Sequence, residues 1–331
     1  MNSTADTYSL KDEEILGAPM SHSSDLSEGQ TGRIDYDSSA VFEIHHILKK
    51  LDSAPTQSTF GYLQLPTEGE GPFPCVVAIH GSRGWRPHND IHIANWLDAG
   101  IAVFRVHSFD ARGIDGVVET QMEVTHATML VDAYNALKLL GSHPQIDAER
   151  IGIAGWSLGG LVALYSAWLP IAEKLAPQGQ RFAAHLPIYP AAHIRTEIME
   201  WSKSPIHILH GAIDDYTPAI HATQMVDLLL HVGANASLTI YPDAHHSFDS
   251  YEEVTFNATA LKIDERTIQI DADGDMSGEI LPGVHIPLNE PEQRFAAFQQ
   301  TNLLGAHYGG QKEARDQSRI DAVEFLINSL R

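Results

Sequence analysis

After Pro74 the chain settles into a repeating pattern: short unbroken apolar runs, each followed by a longer stretch in which apolar and polar positions mix. Unbroken runs of this length suit strands buried on both faces, and the mixed stretches suit helices laid over those faces. The strands predicted are Val76–His80, Ile101–Val106, Ile151–Ala154, Phe182–Ile188, Ile206–His210 and Ser237–Tyr241. Helices are predicted at about Ile91–Ala99, Val124–Leu140, Leu158–Trp168 and Pro218–Val232, with a last one from about Ser318 to Leu330. Such alternation specifies an α/β fold, a doubly wound and mostly parallel sheet flanked by helices.

Other intervals break this rhythm. Residues 1–33 are polar, acidic and serine-rich, and are expected to form a mobile N-terminal arm or one draped loosely over the surface. Val41–Leu48 and Phe60–Leu65 are short β-like or ambiguous runs, followed by the turn-rich Pro66–Gly71. Residues 34–331 then read as one domain. Within it, about 249–289 is an inserted β and loop excursion, with alternation over Thr255–Ile270 and an acidic stretch at Asp271–Glu279. That excursion is expected to wall the active site or to mediate association.

Bulk composition narrows the partners. The 331 residues carry 43 acidic against 21 basic side chains, a formal charge of −22. Such an excess of acid disfavours nucleic acid, whose backbone demands clustered bases. The single cysteine, Cys75, lies in an apolar run, cannot form an intrachain disulfide and reads as a small buried hydrophobe. Met1–Leu10 shows neither a basic start nor an apolar core, and no apolar stretch reaches membrane-span length. The expectation is a cytoplasmic protein, monomer or homodimer, with no membrane partner.

Chemistry enters at Gly155-Trp156-Ser157-Leu158-Gly159-Gly160, directly after the strand candidate Ile151–Ala154. A serine between flanking glycines, at a strand-to-helix turn, is lifted above the sheet with strained backbone angles. Its hydroxyl needs an imidazole to take the proton and a carboxylate to orient that imidazole. After Ile206–His210 comes Gly211-Ala212-Ile213-Asp214-Asp215, which puts Asp214, or alternatively Asp215, on the C-terminal rim of the sheet. After Tyr241 come His245 and His246, one of which is the base; spacing leaves the choice open. Leu158 offers one backbone amide for an oxyanion. Ser82 offers the second, with Gly81 next in line, from the loop His80–Gly84.

The remaining candidates are weaker. Arg112 is read mainly as a brace pairing with Asp110 or Asp115, with contact to a substrate carboxylate as the alternative. Arg83, Trp85, Trp156, Tyr189 and Tyr216 lie near rim loops and are candidate substrate contacts. Asp271–Glu279 has the alternating oxygens of a calcium loop. Its sixth position is Met276 and its twelfth Pro282, so a tight acidic turn is expected instead. The adjacent pairs His45-His46 and His245-His246 lack the spacing of a zinc site. No metal or organic cofactor is expected.

Taken together, these residues resemble the dienelactone hydrolase family of α/β-hydrolases. The similar pieces are Pro72-Phe73-Pro74, His80–Gly84, His107–Gly113, Gly155–Gly160, Gly211–Pro218 and Tyr241–Phe248, in the family's order from about residue 60 onward. The resemblance implies the α/β-hydrolase fold, Ser157 as nucleophile, Asp214 as acid and His246 as base. It also implies oxyanion amides at Ser82 and Leu158. Dienelactone hydrolases proper use cysteine where this chain has Ser157, and usually aspartate where it has His107. The implied activity is a serine carboxylic-ester hydrolase with an acyl-enzyme intermediate, acting on small esters or lactones. The alternatives are a peptidase or acyltransferase with the same triad, or a non-catalytic binding protein on this scaffold.

Overall fold

The computed structural model describes residues 22–301 and 303–331. Its strands are β1 (Gly32–Ser39), β2 (Thr56–Gln64), β3 (Phe73–Ile79), β4 (Ala102–Val106), β5 (Ile146–Trp156), β6 (His185–Ile188), β7 (Ile194–Thr196), β8 (Ile206–Gly211) and β9 (Ala236–Tyr241). The later β10 (Thr255–Leu261), β11 (Ile268–Ile270), β12 (Met276–Leu281), β13 (Val284–Pro287) and β14 (Leu304–Tyr308) stand apart from the main sheet. The helices are α1 (Ile44–Lys50), α2 (Pro87–Asp98), α3 (His126–Leu140), α4 (Leu158–Tyr165), α5 (Leu169–Leu175), α6 (Ala219–His231), α7 (Pro291–Thr301) and α8 (Lys312–Ser329).

The main sheet has eight strands in the order β1-β2-β4-β3-β5-β6-β8-β9. From β4 to β9 all neighbours run parallel, while β1 and β2 are antiparallel additions at one edge. In β3 the run Val76-Val77-Ala78-Ile79 is wholly buried, because helices cover both faces of the sheet. One apolar layer gathers α3, α4 and α5, and the other gathers α2 and α8 around the stacked rings of Trp96 and Trp156. This is the α/β-hydrolase architecture, with the chain reversing on either side of the central β3.

Several sequence expectations need revision. The described part of the expected mobile arm, residues 22–33, packs against the body. Leu26 is fully buried, its amide donates to Ser142 Oγ at 2.7 Å, and Gly32 opens β1. Burying one leucine is worth about 1.5–3 kcal/mol, enough to hold so short a segment in place. Residues 1–21 lie outside the described residues. Val41–Leu48 contributes to helix α1, started by a capping box between Glu43 and His46.

The insertion is also larger than the sequence suggested. It runs from β10 to β14, and includes helix α7. β10 pairs with β14, while β11, β12 and β13 join β7 in a four-stranded sheet. Distant pairing hid this extent, since β10 finds its partner only at residues 304–308. These elements form a cap beside the C-terminal ends of the main strands. Within it Asp271–Glu279 makes a tight turn: the Asp275 amide donates to Asp271 Oδ1, and Lys49 and His45 hold the Asp275 carboxylate.

Candidate active site

The loops leaving β3, β5, β8 and β9 converge above the sheet, where open α/β folds place ligands. Ser157 leaves β5 with φ 56° and ψ −111°, a strained conformation for a non-glycine residue. The glycines around it permit close backbone approach. A Cβ on Gly155 would sit 2.1 Å from the Gly159 carbonyl oxygen, and one on Gly159 would sit 2.2 Å from that of Ile79. Any larger side chain would push α4 off the sheet and move the serine.

Asp214, Ser157 and His246, far apart in sequence, meet here. His246 Nε2 lies 2.8 Å from Ser157 Oγ, and its Nδ1 lies 2.8 Å from Asp214 Oδ2. Asp214 is fixed from its other side: Oδ1 accepts the amides of Tyr216 at 2.8 Å and Thr217 at 2.9 Å. Burial alone would raise the Asp214 pKa, but His246, His210 and the Thr217 amide together hold it below the usual carboxylate value. An ionised Asp214 requires the proton of His246 on Nδ1, which donates to it. Nε2 is thereby left free to accept from the serine hydroxyl. Asp215, the alternative acid, points elsewhere, accepting the backbone amide and Nδ1 of His307 at 2.8 Å each.

The backbone amides of Ser82 and Leu158 find no protein acceptor among the described residues. Leu158 is also the first residue of α4, where the helix dipole adds positive character. The Ser82 hydroxyl donates to Gln121 Oε1 at 3.1 Å, bracing this loop.

The other candidates divide. Arg83 borders the site but is forked onto Glu252, at 2.6 and 3.1 Å. Trp156, Tyr189 and Tyr216 line a cavity at Ser157; Trp156 Nε1 and the Tyr189 hydroxyl both donate to the buried Asp249, at 3.0 and 2.8 Å. Two expectations are corrected. Arg112 lines no cavity at the serine; it forks onto buried Asp132 at 2.9 and 3.0 Å rather than onto Asp110 or Asp115. Trp85 also stands back from the cavities, its ring packed against Trp156 and His107 and its Nε1 donating to the Val106 carbonyl.

Three residues escaped the sequence reading. Thr217 donates from Oγ1 to Asp214 Oδ2 at 3.0 Å, only two positions beyond the acidic pair that drew attention. Gln121 supports the Ser82 loop from a backbone at φ 55°, with no motif around it. Asp249 lies in the segment of the base and anchors the rings behind His246, but buried acids carry no sequence signature.

A strained serine at a strand-to-helix turn, aligned with an imidazole and a buried carboxylate on this sheet order, defines an α/β-hydrolase. The chain belongs to the dienelactone hydrolase family, whose model matches residues 60–269. It is 24% identical over 217 residues to the "Putative carboxymethylenebutenolidase" of Yersinia pestis, covering 61% of this chain and 78% of that protein. It is 21% identical over 151 residues to "Dipeptidyl peptidase family member 1" of Caenorhabditis elegans, covering 41% of this chain and only 18% of that longer protein. Among solved structures, the propionate-bound thermophilic esterase of Thermogutta terrifontis matches with a TM-score of 0.47 and 17% identity. That match covers 64% of this chain and 86% of that one. Among the described residues no helix is long and apolar enough to cross a membrane.

Proposed function

We propose that this chain is a serine carboxylic-ester hydrolase acting on small-molecule esters or lactones, with Ser157, His246 and Asp214 as its catalytic triad. The observation that carries this reading is the unbroken line from Asp214 Oδ2 through His246 to Ser157 Oγ, with 2.8 Å at each step. His246 Nε2 removes the hydroxyl proton as Oγ attacks the ester carbonyl. The amides of Ser82 and Leu158 receive the negative charge that develops on the carbonyl oxygen, each such donor being worth roughly 3 kcal/mol. The His246 imidazolium then protonates the leaving alkoxide, giving an acyl-Ser157. Water, deprotonated by the same nitrogen, attacks that ester, and collapse returns the proton from His246 to Ser157 and releases the acid. Asp214 stays ionised throughout.

The reading requires no metal or organic cofactor and places the chain in the cytoplasm as a monomer or homodimer. Its one cysteine, Cys75, is buried and free, so no disulfide argues for an oxidising compartment. An organophosphonate should label the protein stoichiometrically at Ser157, with parallel loss of p-nitrophenyl acetate hydrolysis. Ser157→Ala should take neither label nor substrate, losing at least about 10⁴-fold in turnover with its melting curve retained. Labelling at another residue, or turnover surviving in Ser157→Ala, would refute the assignment. A p-nitroanilide cleaved faster than the matching ester would favour a peptidase.

A further inference from the structure

Two cavities meet at Ser157, and they differ in size. The smaller, about 490 Å³ including its open mouth, is bordered by Arg83, Arg86, His88 and Asn89 on one side and by the rings of Trp156 and Tyr308. The larger, about 1140 Å³ on the same measure, runs from Ser157 beneath the cap. Its floor includes Leu158, Leu161 and Ile194, and its roof Ile268, Ile280 and Phe298.

Charged groups around this chamber are largely engaged. Arg294 is paired with Glu43, Arg266 with Asp264, and Glu279 accepts the Gly283 amide. His126 and His193 also border it; burial pulls them down to about 4 and about 3, so both are neutral at pH 7. Lys262 is the one bordering Lys or Arg with no side-chain partner among the described residues, and it is only half-buried.

The roof is seated on the catalytic loops by main-chain hydrogen bonds. The Leu261 amide donates to the Val118 carbonyl at 3.0 Å and the Ile263 amide to that of Tyr216 at 3.0 Å, while Arg294 donates to the Gln121 carbonyl at 3.1 Å. The family match ends at residue 269, so β12, β13, α7 and β14 all lie beyond it. The chamber is therefore shaped in part by residues outside the matched segment.

We propose that the chamber between Ser157 and the cap binds an uncharged, bulky apolar half of the substrate, the other half being small. This rests on the ester-hydrolase reading and narrows it, from small esters in general to esters with one long or ring-bearing hydrocarbon group. Burial of each added methylene should be felt in binding, because the lining is apolar and already assembled. A carboxylate on that half would lose its water with at most one free cation to meet it.

Two series on the full chain test the proposal, the p-nitrophenyl alkanoates from acetate to decanoate and the acetates of alcohols of increasing length. In one of them kcat/KM should rise at least about a hundredfold from shortest to longest. A series flat or falling in both, alongside stoichiometric organophosphonate labelling of Ser157, would overturn the chamber while leaving the hydrolase reading intact. Absence of labelling would sink the hydrolase reading itself. A neutral ester and its ω-carboxylated counterpart of equal length should differ at least about tenfold in favour of the neutral one; equality or the reverse, with Lys262 as the cation responsible, would also overturn it. Ala297→Phe, placed in the roof, should lower the long-to-short ratio about tenfold. Should that variant fail to fold, the two comparisons on the unaltered chain still decide.

Discussion

The sheet that carries the proposed triad and the cap that roofs it follow opposite rules of construction. In the sheet, β3, β4 and the end of β5 are almost fully buried, and Ser157, Asp214 and His246 stand at or shortly beyond strand ends, linked by hydrogen bonds. The cap has short strands and leaves Phe256, Leu281 and Phe295 more than half exposed. Packing from both sides permits the tight tolerances that proton transfer needs. A cap that needs only to enclose space can be built from main-chain pairing and a few anchors. On the proposed reading labour is divided, with reactivity set by the sheet and the shape of the bound group set by the cap.

The sharpest break in this comparison comes at Asp214. Asp214→Asn should lower kcat about 10³- to 10⁴-fold, because an amide cannot hold His246 in the tautomer that leaves Nε2 free. Asp215→Asn should cost less than about tenfold, since that carboxylate holds His307 of β14 and has no contact with His246. Steady-state kinetics on the two variants separates them. A small effect at Asp214 beside a large one at Asp215 would reverse the roles.

Next in size is the tether between the two regions. Arg294 of α7 pairs with Glu43 at the start of α1, and Glu43 is fully buried. Burial pulls the guanidinium down to about 10, so it remains protonated at neutral pH. Arg294→Ala should cost about 3–5 kcal/mol in urea unfolding, because it strands a buried carboxylate. The double change Glu43→Gln with Arg294→Met should recover most of that loss. If Arg294→Ala costs under about 1 kcal/mol, the cap is held by its main-chain bonds alone.

The same contrast explains what could be read in the sequence. The parallel strands were legible because burial on both faces demands apolar runs, and Ser157 was legible because its turn demands glycines on both sides. Positions just after strands narrowed the acid to Asp214 or Asp215 and the base to His245 or His246, and the family resemblance chose Asp214 and His246. β1 was missed because its core-facing positions include polar residues: Asp35 and Ser38 are buried, with Ser38 bonded to Asp132. Arg112 is a brace as expected, but its partner was hidden for a related reason. Its partner Asp132 lies on α3, inside a stretch that reads as ordinary helix. The cap's outline was legible as alternation at Thr255–Ile270, but its closure by β14 depends on pairing across more than forty residues. Local pattern reports which face is buried; it does not report which distant segment buries it.

The smallest effect concerns how the sheet supports its chemistry from behind. Asp249 is wholly buried and accepts from Trp156 Nε1 and the Tyr189 hydroxyl, with His92 Nε2 3.2 Å away. Burial works against its charge, but His88, His92 and Tyr189 outweigh that and hold its pKa well below the ordinary value. A carboxyl whose folded pKa is depressed contributes stability that is complete above the unfolded value, near 4, and fades as the pH drops toward the folded one. Asp249→Asn should therefore cost about 1–3 kcal/mol at pH 7, with the gap to the unaltered protein narrowing steadily below pH 4. Urea melts at several pH values would check this. The ring of Tyr189 also packs on His246, at 4.8 Å between centroids, so a loosened Tyr189 should lower kcat modestly while the chain-length preference stays unchanged. A changed preference with an intact kcat would mean that the wall behind the triad, and not the cap alone, shapes the bound group.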